Sequence, residues 1–437
     1  MPNQQEAKTL RKQLIRGASG SLVLKIVNTA LGLLVAVVLA RVLGVENFGV
    51  YAFCMSIVQI LTVPAMLGGG QLLVREVAAY QTKGEYHFLR GLLTRFRQAS
   101  FLASLFLVLL AGFIGYIAYH GSQLLIPFLI ALCTIPLLSA FRLQGAALRG
   151  LRYVLYQPLT QALRPALVII IVGSIYYFVQ PNLGPEVALS AQFVGCAFLV
   201  LFTFVLLRRL LPIEAKNAQP KYETSRWIKS ALPFVFASGM QILNKETSVI
   251  FLGILQTPEE VGLFRVAQRG ALLIPFGLQA VNMAIAPTIS QMYTKGEKER
   301  LQRMISKSIL AVMVFALPVA LVLILGGKWI LPFVFGQEYV PAYLPLVILC
   351  LGQLVNACMG SVGLILNMAG LERITAKGVA IAAIINIVLN AVLIPFFGTI
   401  GAAIATSLTL MIWNFLLFIW LYRETGIVSV AHSHRML

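Results

Sequence analysis

Long apolar stretches dominate this chain, and each ends at glycine, proline or a cluster of charge. About 20 apolar residues span the hydrocarbon core of a bilayer as a helix. Cutting at the breaks gives twelve such spans, at 20–43, 48–69, 92–118, 122–142, 157–179, 185–207, 228–254, 260–289, 305–325, 341–367, 376–396 and 399–422. Between the second and third spans, QLLVREVAAYQTKG predicts a short helix lying along the membrane surface. The longest hydrophilic loop, 208–227, contains LPIEAKNAQPKYETSR and divides the chain near its middle. The expected organisation is an N-terminal six-helix lobe at 1–212, a cytoplasmic linker at 213–226, a C-terminal six-helix lobe at 227–422 and a cytoplasmic tail at 423–437.

A weak internal repeat supports that division. Leu43-Gly44-Val45-Glu46-Asn47-Phe48-Gly49-Val50-Tyr51 resembles Gln256-Thr257-Pro258-Glu259-Glu260-Val261-Gly262-Leu263-Phe264 at an offset of 213. Arg149-Gly150-Leu151 echoes Ala369-Gly370-Leu371 at 220, and Ala188-Leu189-Ser190 echoes Ala405-Thr406-Ser407 at 217. Six helices per half is an even number, so the halves are expected to run parallel about a pseudo-two-fold along the membrane normal. Such halves hold substrate between them near mid-membrane. The predicted fold is therefore all-α and membrane-integral, with twelve helices in two lobes around a central cavity.

Charge sets the expected orientation. The termini and one set of loops carry 27 of the 34 Lys and Arg residues, whereas the opposite loops carry only Arg41 and Lys328. Both termini are expected to be cytoplasmic. The polar, basic N-terminus leads into more than twenty apolar residues, too long for a signal-peptide core, so the first helix is expected to stay as an anchor. The net charge of +19 would suit nucleic acid, but a chain 59% hydrophobic and 11% charged points to cytoplasmic loops instead, with no nucleic-acid partner. Five cysteines lie in apolar segments without a CxxC pair, and four histidines are scattered, so neither disulfides, a metal site nor a cofactor is expected. No Walker loop, HExxH or GxSxG is present, which predicts a carrier rather than an enzyme or an ATP-driven pump.

The remaining five basic residues, Lys25, Arg164, Lys245, Arg265 and Arg269, fall inside the spans. A charge at the bilayer centre costs about 2.5–3.5 kcal/mol on insertion scales, so five facing lipid would cost about 12–18 kcal/mol. They are expected to line a hydrated interior suited to an anion. Arg265 and Arg269 share a helix face that would run on through Leu272, Phe276, Gln279 and Asn282. Gln157, Gln161 and Arg164 form a second stripe, and Lys25 and Asn28 a third. Asn244, Lys245 and Glu246 crowd the seventh span, while Gln353 and Asn356 mark the tenth. The candidate cavity amides are thus Asn28, Gln161, Asn244, Gln279, Asn282, Gln353 and Asn356. Each could instead bond across a helix contact, and Lys245 could simply neutralise Glu246. Glu246 is the candidate for ion coupling. Prolines 64, 136, 165, 233, 275, 287 and 318 are expected within helices, as kinks that allow rocking.

Five segments carry a family resemblance: ARVLGVENFGVYAF (40–53), AMLGGGQLLVREVA (65–78), LQGAALRGLRYVLYQP (143–158), FGQEYVPAYLPLVILCLGQLVN (335–356) and GTIGAAIATSL (398–408). They resemble the oligosaccharide flippases of the Wzx type, within the multidrug/oligosaccharidyl-lipid/polysaccharide exporter superfamily. The resemblance implies a MATE-like pair of six-helix lobes in the bacterial inner membrane. It also implies transport of an undecaprenyl-pyrophosphate-linked oligosaccharide from the cytoplasmic to the outer leaflet, for O-antigen, capsule or exopolysaccharide synthesis. Membrane lipids, a polysaccharide polymerase and a chain-length regulator would be the partners. Twelve helices rather than fourteen set the chain apart from the lipid II branch. The rival reading is an ion-coupled exporter of drugs or other amphiphiles; for it, the absence of aspartate and the cationic interior are unfavourable.

Overall fold

The computed structural model describes residues 4–178 and 183–429, with side chains described from Leu24 onward except that of Lys25. Every regular element among them is helical. In chain order they are α1 (Gln4–Ala65), α2 (Gly69–Lys83), α3 (Tyr86–Tyr119), α4 (Leu125–Gly150), α5 (Tyr156–Phe178), α6 (Pro185–Leu210) and α7 (Ile213–Asn217). There follow α8 (Thr224–Leu255), α9 (Pro258–Ala271), α10 (Phe276–Thr294), α11 (Lys298–Val334), a 3-10 turn (Gln337–Ala342), α12 (Tyr343–Met359), α13 (Val362–Met368) and α14 (Glu372–Thr425).

Eight helices are long and apolar enough to cross a membrane, or nine with α9 and α10, which meet at a 47° bend, as one broken span. At 1.5 Å per residue, α1 and α14 each exceed a bilayer's thickness about twofold or more. Both contain a glycine in a non-helical conformation, Gly44 (φ 75°) and Gly398 (φ 51°), that joins two arms. Counting these two twice and adding α8, whose apolar run is interrupted by Lys245 and Glu246, gives the twelve predicted crossings among the described residues. The short amphipathic helix expected after the second span is α2: Leu72, Leu73, Val77 and Tyr80 are buried, while Arg75 and Lys83 point out. It ends at Gly84 in the left-handed conformation (φ 72°).

The outside of the helices is the apolar side. On α3, Leu102, Phe106, Leu109, Phe113 and Ile117 recur at helical spacing and are exposed, whereas over the same part of the helix the buried residues are small, Ser100, Ser104 and Gly115. Ser104 Oγ meets Ser139 Oγ of α4 at 3.0 Å. Small and hydroxylated contacts of this kind bring membrane helices close where lipid supplies no hydrophobic drive.

The chain divides into two compact units. Unit 1 comprises 1–43 and 53–242, and unit 2 comprises 44–52 and 243–437. In unit 1, α4 packs against α2, α3 and α6. The 213–226 connection lies within unit 1: Arg90 donates to the Lys216 and Ala218 carbonyls, the latter at 2.7 Å. Trp227 Nε1 donates to Tyr80 Oη at 3.0 Å. In unit 2, Ile289, Ile305, Ile309, Ile365, Leu366 and Leu417 form part of a continuous core.

Unit 2 also brings the two repeat segments together. A Cβ on Gly49 would lie 1.7 Å from the Pro258 carbonyl oxygen, and one on Gly262 would lie 2.3 Å from the Val45 carbonyl oxygen. Adding 213 to 49 and 45 gives 262 and 258. The crossing therefore maps onto itself under the repeat, with a glycine in each copy allowing the other backbone's approach. Two carboxylates fasten the glycine joints: Glu338 accepts from Val45 N–H at 3.1 Å and Glu260 from Thr399 N–H at 2.7 Å. Each supplies an acceptor and a negative charge at the start of a helical arm.

Two expectations are corrected. Pro275 is not within a helix but precedes α10, in the break after α9. For the same reason the Arg265–Arg269 stripe does not continue through Leu272, Phe276, Gln279 and Asn282 on one straight face, because the chain bends between α9 and α10.

Candidate functional site

The polar residues of mid-chain converge where α8 faces α9. Thr257 caps α9, its hydroxyl accepting from Glu260 N–H at 3.5 Å, and Pro258 holds the first turn. Eight residues in, α9 turns Arg265 towards α8. Arg265 is buried, and its Nη2 donates to Glu246 Oε2 at 2.8 Å while Nη1 donates to Gln268 Oε1 at 2.9 Å. Glu246 is 2% exposed and has a second cation, Lys245 Nζ, 3.9 Å from its Oε1. Gln268 closes the circuit by donating to the Lys245 carbonyl at 3.4 Å. Lys245 carries its ammonium outward, with the side chain 59% exposed. Arg269, half-buried, follows Arg265 by one turn at the C-terminal end of α9, where the helix dipole favours a cation.

Two cations, Lys245 and Arg265, therefore meet one carboxylate, a net charge of +1, and Arg269 adds a further positive charge one turn along α9. The expectation of freely hydrated cations is corrected at Arg265, which is buried against Glu246 because a lone charge there would go unsolvated. Asn244 stands one residue before Lys245. Its Nδ2 donates to the Val379 carbonyl at 3.2 Å, and its buried Oδ1 accepts nothing from the protein.

The other candidates separate into two groups. Several amides join helices: Asn28 Nδ2 donates to the Pro158 carbonyl at 3.0 Å, Asn282 Oδ1 accepts from Ser361 Oγ, and Asn414 Nδ2 donates to Asn356 Oδ1 at 3.0 Å. Asn356 in turn donates to Gln353 Oε1 at 3.4 Å. Arg164 on α5 is half-buried and makes no ion pair or hydrogen bond among the described residues, and Gln161 on the same helix is exposed. Gln279 is half-buried on α10. The Lys25 side chain lies outside the described residues. Gln268, which sequence reasoning missed, shares a face with Arg265 at i+3, and that spacing was the available signal.

Residues 14–293, more than half of the chain, match the family described as "Polysaccharide biosynthesis protein". The chain belongs to this family. A second family, MatE, matches residues 233–392 of this polysaccharide biosynthesis family member. Probable low-salt glycan biosynthesis flippase Agl15 of Haloferax volcanii is 29% identical over 195 residues, covering 44% of this chain and 40% of Agl15. Probable flippase AglR of the same organism is 24% identical, covering 90% of this chain and 80% of AglR. Among solved structures, lipid II flippase MurJ in an inward closed conformation superposes with a TM-score of 0.72 at 16% identity, covering 91% of this chain and 86% of MurJ. An inward-facing MATE multidrug transporter gives 0.73 at 14% identity, covering 90% and 93%. The fold is thus the two-lobe fold of the MOP superfamily, in a multi-pass membrane protein.

Proposed function

We propose that this protein flips a lipid-linked oligosaccharide across a membrane by alternating access, gripping the phosphate-bearing headpiece with the α8–α9 cluster. The excess of positive charge where Lys245 and Arg265 meet the single carboxylate of Glu246, with Arg269 one turn further along α9, is the observation that carries this reading. Guanidinium groups match phosphate oxygens in bidentate geometry, and a lysine adds a mobile point charge. Arg164 on α5 is the matching candidate of unit 1, and Lys25 on α1 is a second one from the sequence. The orphan Oδ1 of Asn244 offers an acceptor to a sugar hydroxyl, and Gln268 holds the cations in register. The names of Agl15 and AglR support a flippase role in glycan biosynthesis.

Glu246 is the resident counter-ion. An incoming pyrophosphate carries more charge than one carboxylate and competes with it for Arg265. Protonation of Glu246 weakens the competitor and releases the arginine, which couples grip to proton supply. With both termini cytoplasmic, as the loop charges favour, the membrane potential drives an anion outward by about 2.3 kcal/mol per charge per 100 mV. Undecaprenyl pyrophosphate in a bacterial inner membrane is the carrier implied by the Wzx-type resemblance, with O-antigen, capsule or exopolysaccharide synthesis downstream and a polymerase and chain-length regulator as partners.

The MatE match favours a second reading, ion-coupled export of amphiphiles. A cationic cluster repels the cationic drugs such an exporter would carry. The deciding experiment reconstitutes the protein in proteoliposomes. Translocation of a fluorescent pyrophosphate-linked oligosaccharide, without transport of a cationic dye, is expected; dye transport alone would overturn the proposal.

A further inference from the structure

Unit 1 contains a cationic cavity, remote in sequence and element from the α8–α9 cluster. Its volume is about 670 Å³, and it lies between α3, α4, α6 and α7 at their basic ends. Four cations line it, Arg90, Arg97, Arg208 and Lys216, and no carboxylate does. Arg90 is spent on the Lys216 and Ala218 carbonyls and ties α7 over the cavity. Arg97 is exposed and makes no ion pair or hydrogen bond among the described residues. Arg208 lies over the Phe204 ring at 5.4 Å from its centroid.

Polarity changes over one helical turn on both walls. Phe101 follows Arg97 by four residues and belongs to the apolar outer face of α3; Phe204 precedes Arg208 by four on α6. Both phenylalanines line the cavity, which is therefore cationic at one end and apolar at the other. That gradient is the profile of a membrane interface, where basic side chains meet lipid phosphates. Between the walls sits Ser100. Its residue is 2% exposed, it lines the cavity, and its Oγ is buried with no hydrogen-bond partner. A buried hydroxyl left unpaired is unfavourable unless something from outside the chain meets it.

We infer that this cavity is a binding site for an anionic membrane phospholipid, its phosphate held by Arg97, Arg208 and Lys216, a glycerol ester carbonyl accepting from Ser100, and its acyl chain laid along Phe101 and Phe204. The site is independent of the transport proposal, since it uses none of the same residues or helices.

Native mass spectrometry of the purified full chain tests it, with phosphatidylglycerol, phosphatidylcholine, a polyprenyl monophosphate and inorganic phosphate as probes. Phosphatidylglycerol is expected to bind at least tenfold more tightly than phosphatidylcholine, and inorganic phosphate is expected not to displace it. R97Q/R208Q and the cavity-filling A140F should each reduce retention about tenfold, while the equally charge-changing R300Q/R303Q on unit 2 should leave it unchanged. A140F keeps every charge and decides the matter if R97Q/R208Q fails to fold. Displacement by inorganic phosphate, preference for the polyprenyl phosphate, or equal retention by A140F and the unsubstituted protein would each overturn the inference.

Discussion

Replacing Arg265 by glutamine should destabilise unit 2 far more than replacing Arg265 and Glu246 together. Both side chains are less than 10% exposed and meet at 2.8 Å. Removing one member of a buried pair leaves an uncompensated charge and costs about 3–5 kcal/mol, whereas removing both leaves neutral groups that can hydrogen-bond. Lys245, 3.9 Å from Glu246, offsets part of the loss, which places R265Q at the lower end, about 3 kcal/mol. The R265Q/E246Q double variant should cost about 1 kcal/mol, so a double-mutant cycle should give a coupling of about 2 kcal/mol or more. Unfolding in a graded denaturing-detergent series reads the stabilities, and hydrogen exchange of α8 and α9 peptides localises the change. An R265Q cost below about 1 kcal/mol, or strictly additive effects, would refute the ion pair as the organiser of the cluster.

Other consequences follow from the same contacts. Gly49→Ala puts a methyl 1.7 Å from the Pro258 carbonyl oxygen and should lower stability by about 1–3 kcal/mol, with Gly262→Ala behaving alike; a neutral result by thermal melting would count against the self-mapped crossing. Gly44→Ala demands φ near 75° with ψ near 173° of an alanine and should cost roughly 1–3 kcal/mol in the same melts. The Tyr80 phenol on the surface helix α2 is pushed up in pKa by burial, with Glu76 and Glu223 adding and Trp227 and Arg226 opposing. Its folded state therefore holds the proton more tightly, so this stabilisation is complete below about pH 10 and is lost as pH rises above it. Tyr80→Phe should flatten the alkaline limb of a stability titration, and an unchanged limb would be the contrary result. Glu246→Gln should remove the pH dependence of transport across a proton gradient, and normal pH-driven transport would remove Glu246 from ion coupling.

Most of the apolar spans were legible because hydropathy and breakers act locally: Gly44 and Gly398 mark joints in the sequence just as they do in the fold, whereas the single span expected over 341–367 is broken at Gly360 into α12 and α13. The α2 surface helix was equally plain from its alternating faces. What local pattern could not supply was pairing. Arg265 and Glu246 stand 19 residues apart on different helices, and nothing in either helix alone says that they meet. The bend at 272–275 was missed because periodicity carried the eye through a proline that in fact ends the stripe. Amides such as Asn282 and Asn356 have the same composition whether they face substrate or a neighbouring helix, and only the structure shows that Asn282 accepts from Ser361 and Asn356 from Asn414. Gln268 looked like an ordinary polar residue until Lys245 appeared beside it.

The central claim is that the α8–α9 cations hold a diphosphate during translocation. Its most direct measurement is the initial rate at which K245Q/R269Q, reconstituted and verified as folded, flips a pyrophosphate-linked oligosaccharide. Charge-assisted hydrogen bonds contribute about 1.5–3 kcal/mol each, so losing two, about 3–6 kcal/mol together, predicts a fall of roughly 100-fold or more relative to the unsubstituted protein. Equal rates for the two proteins would contradict the account.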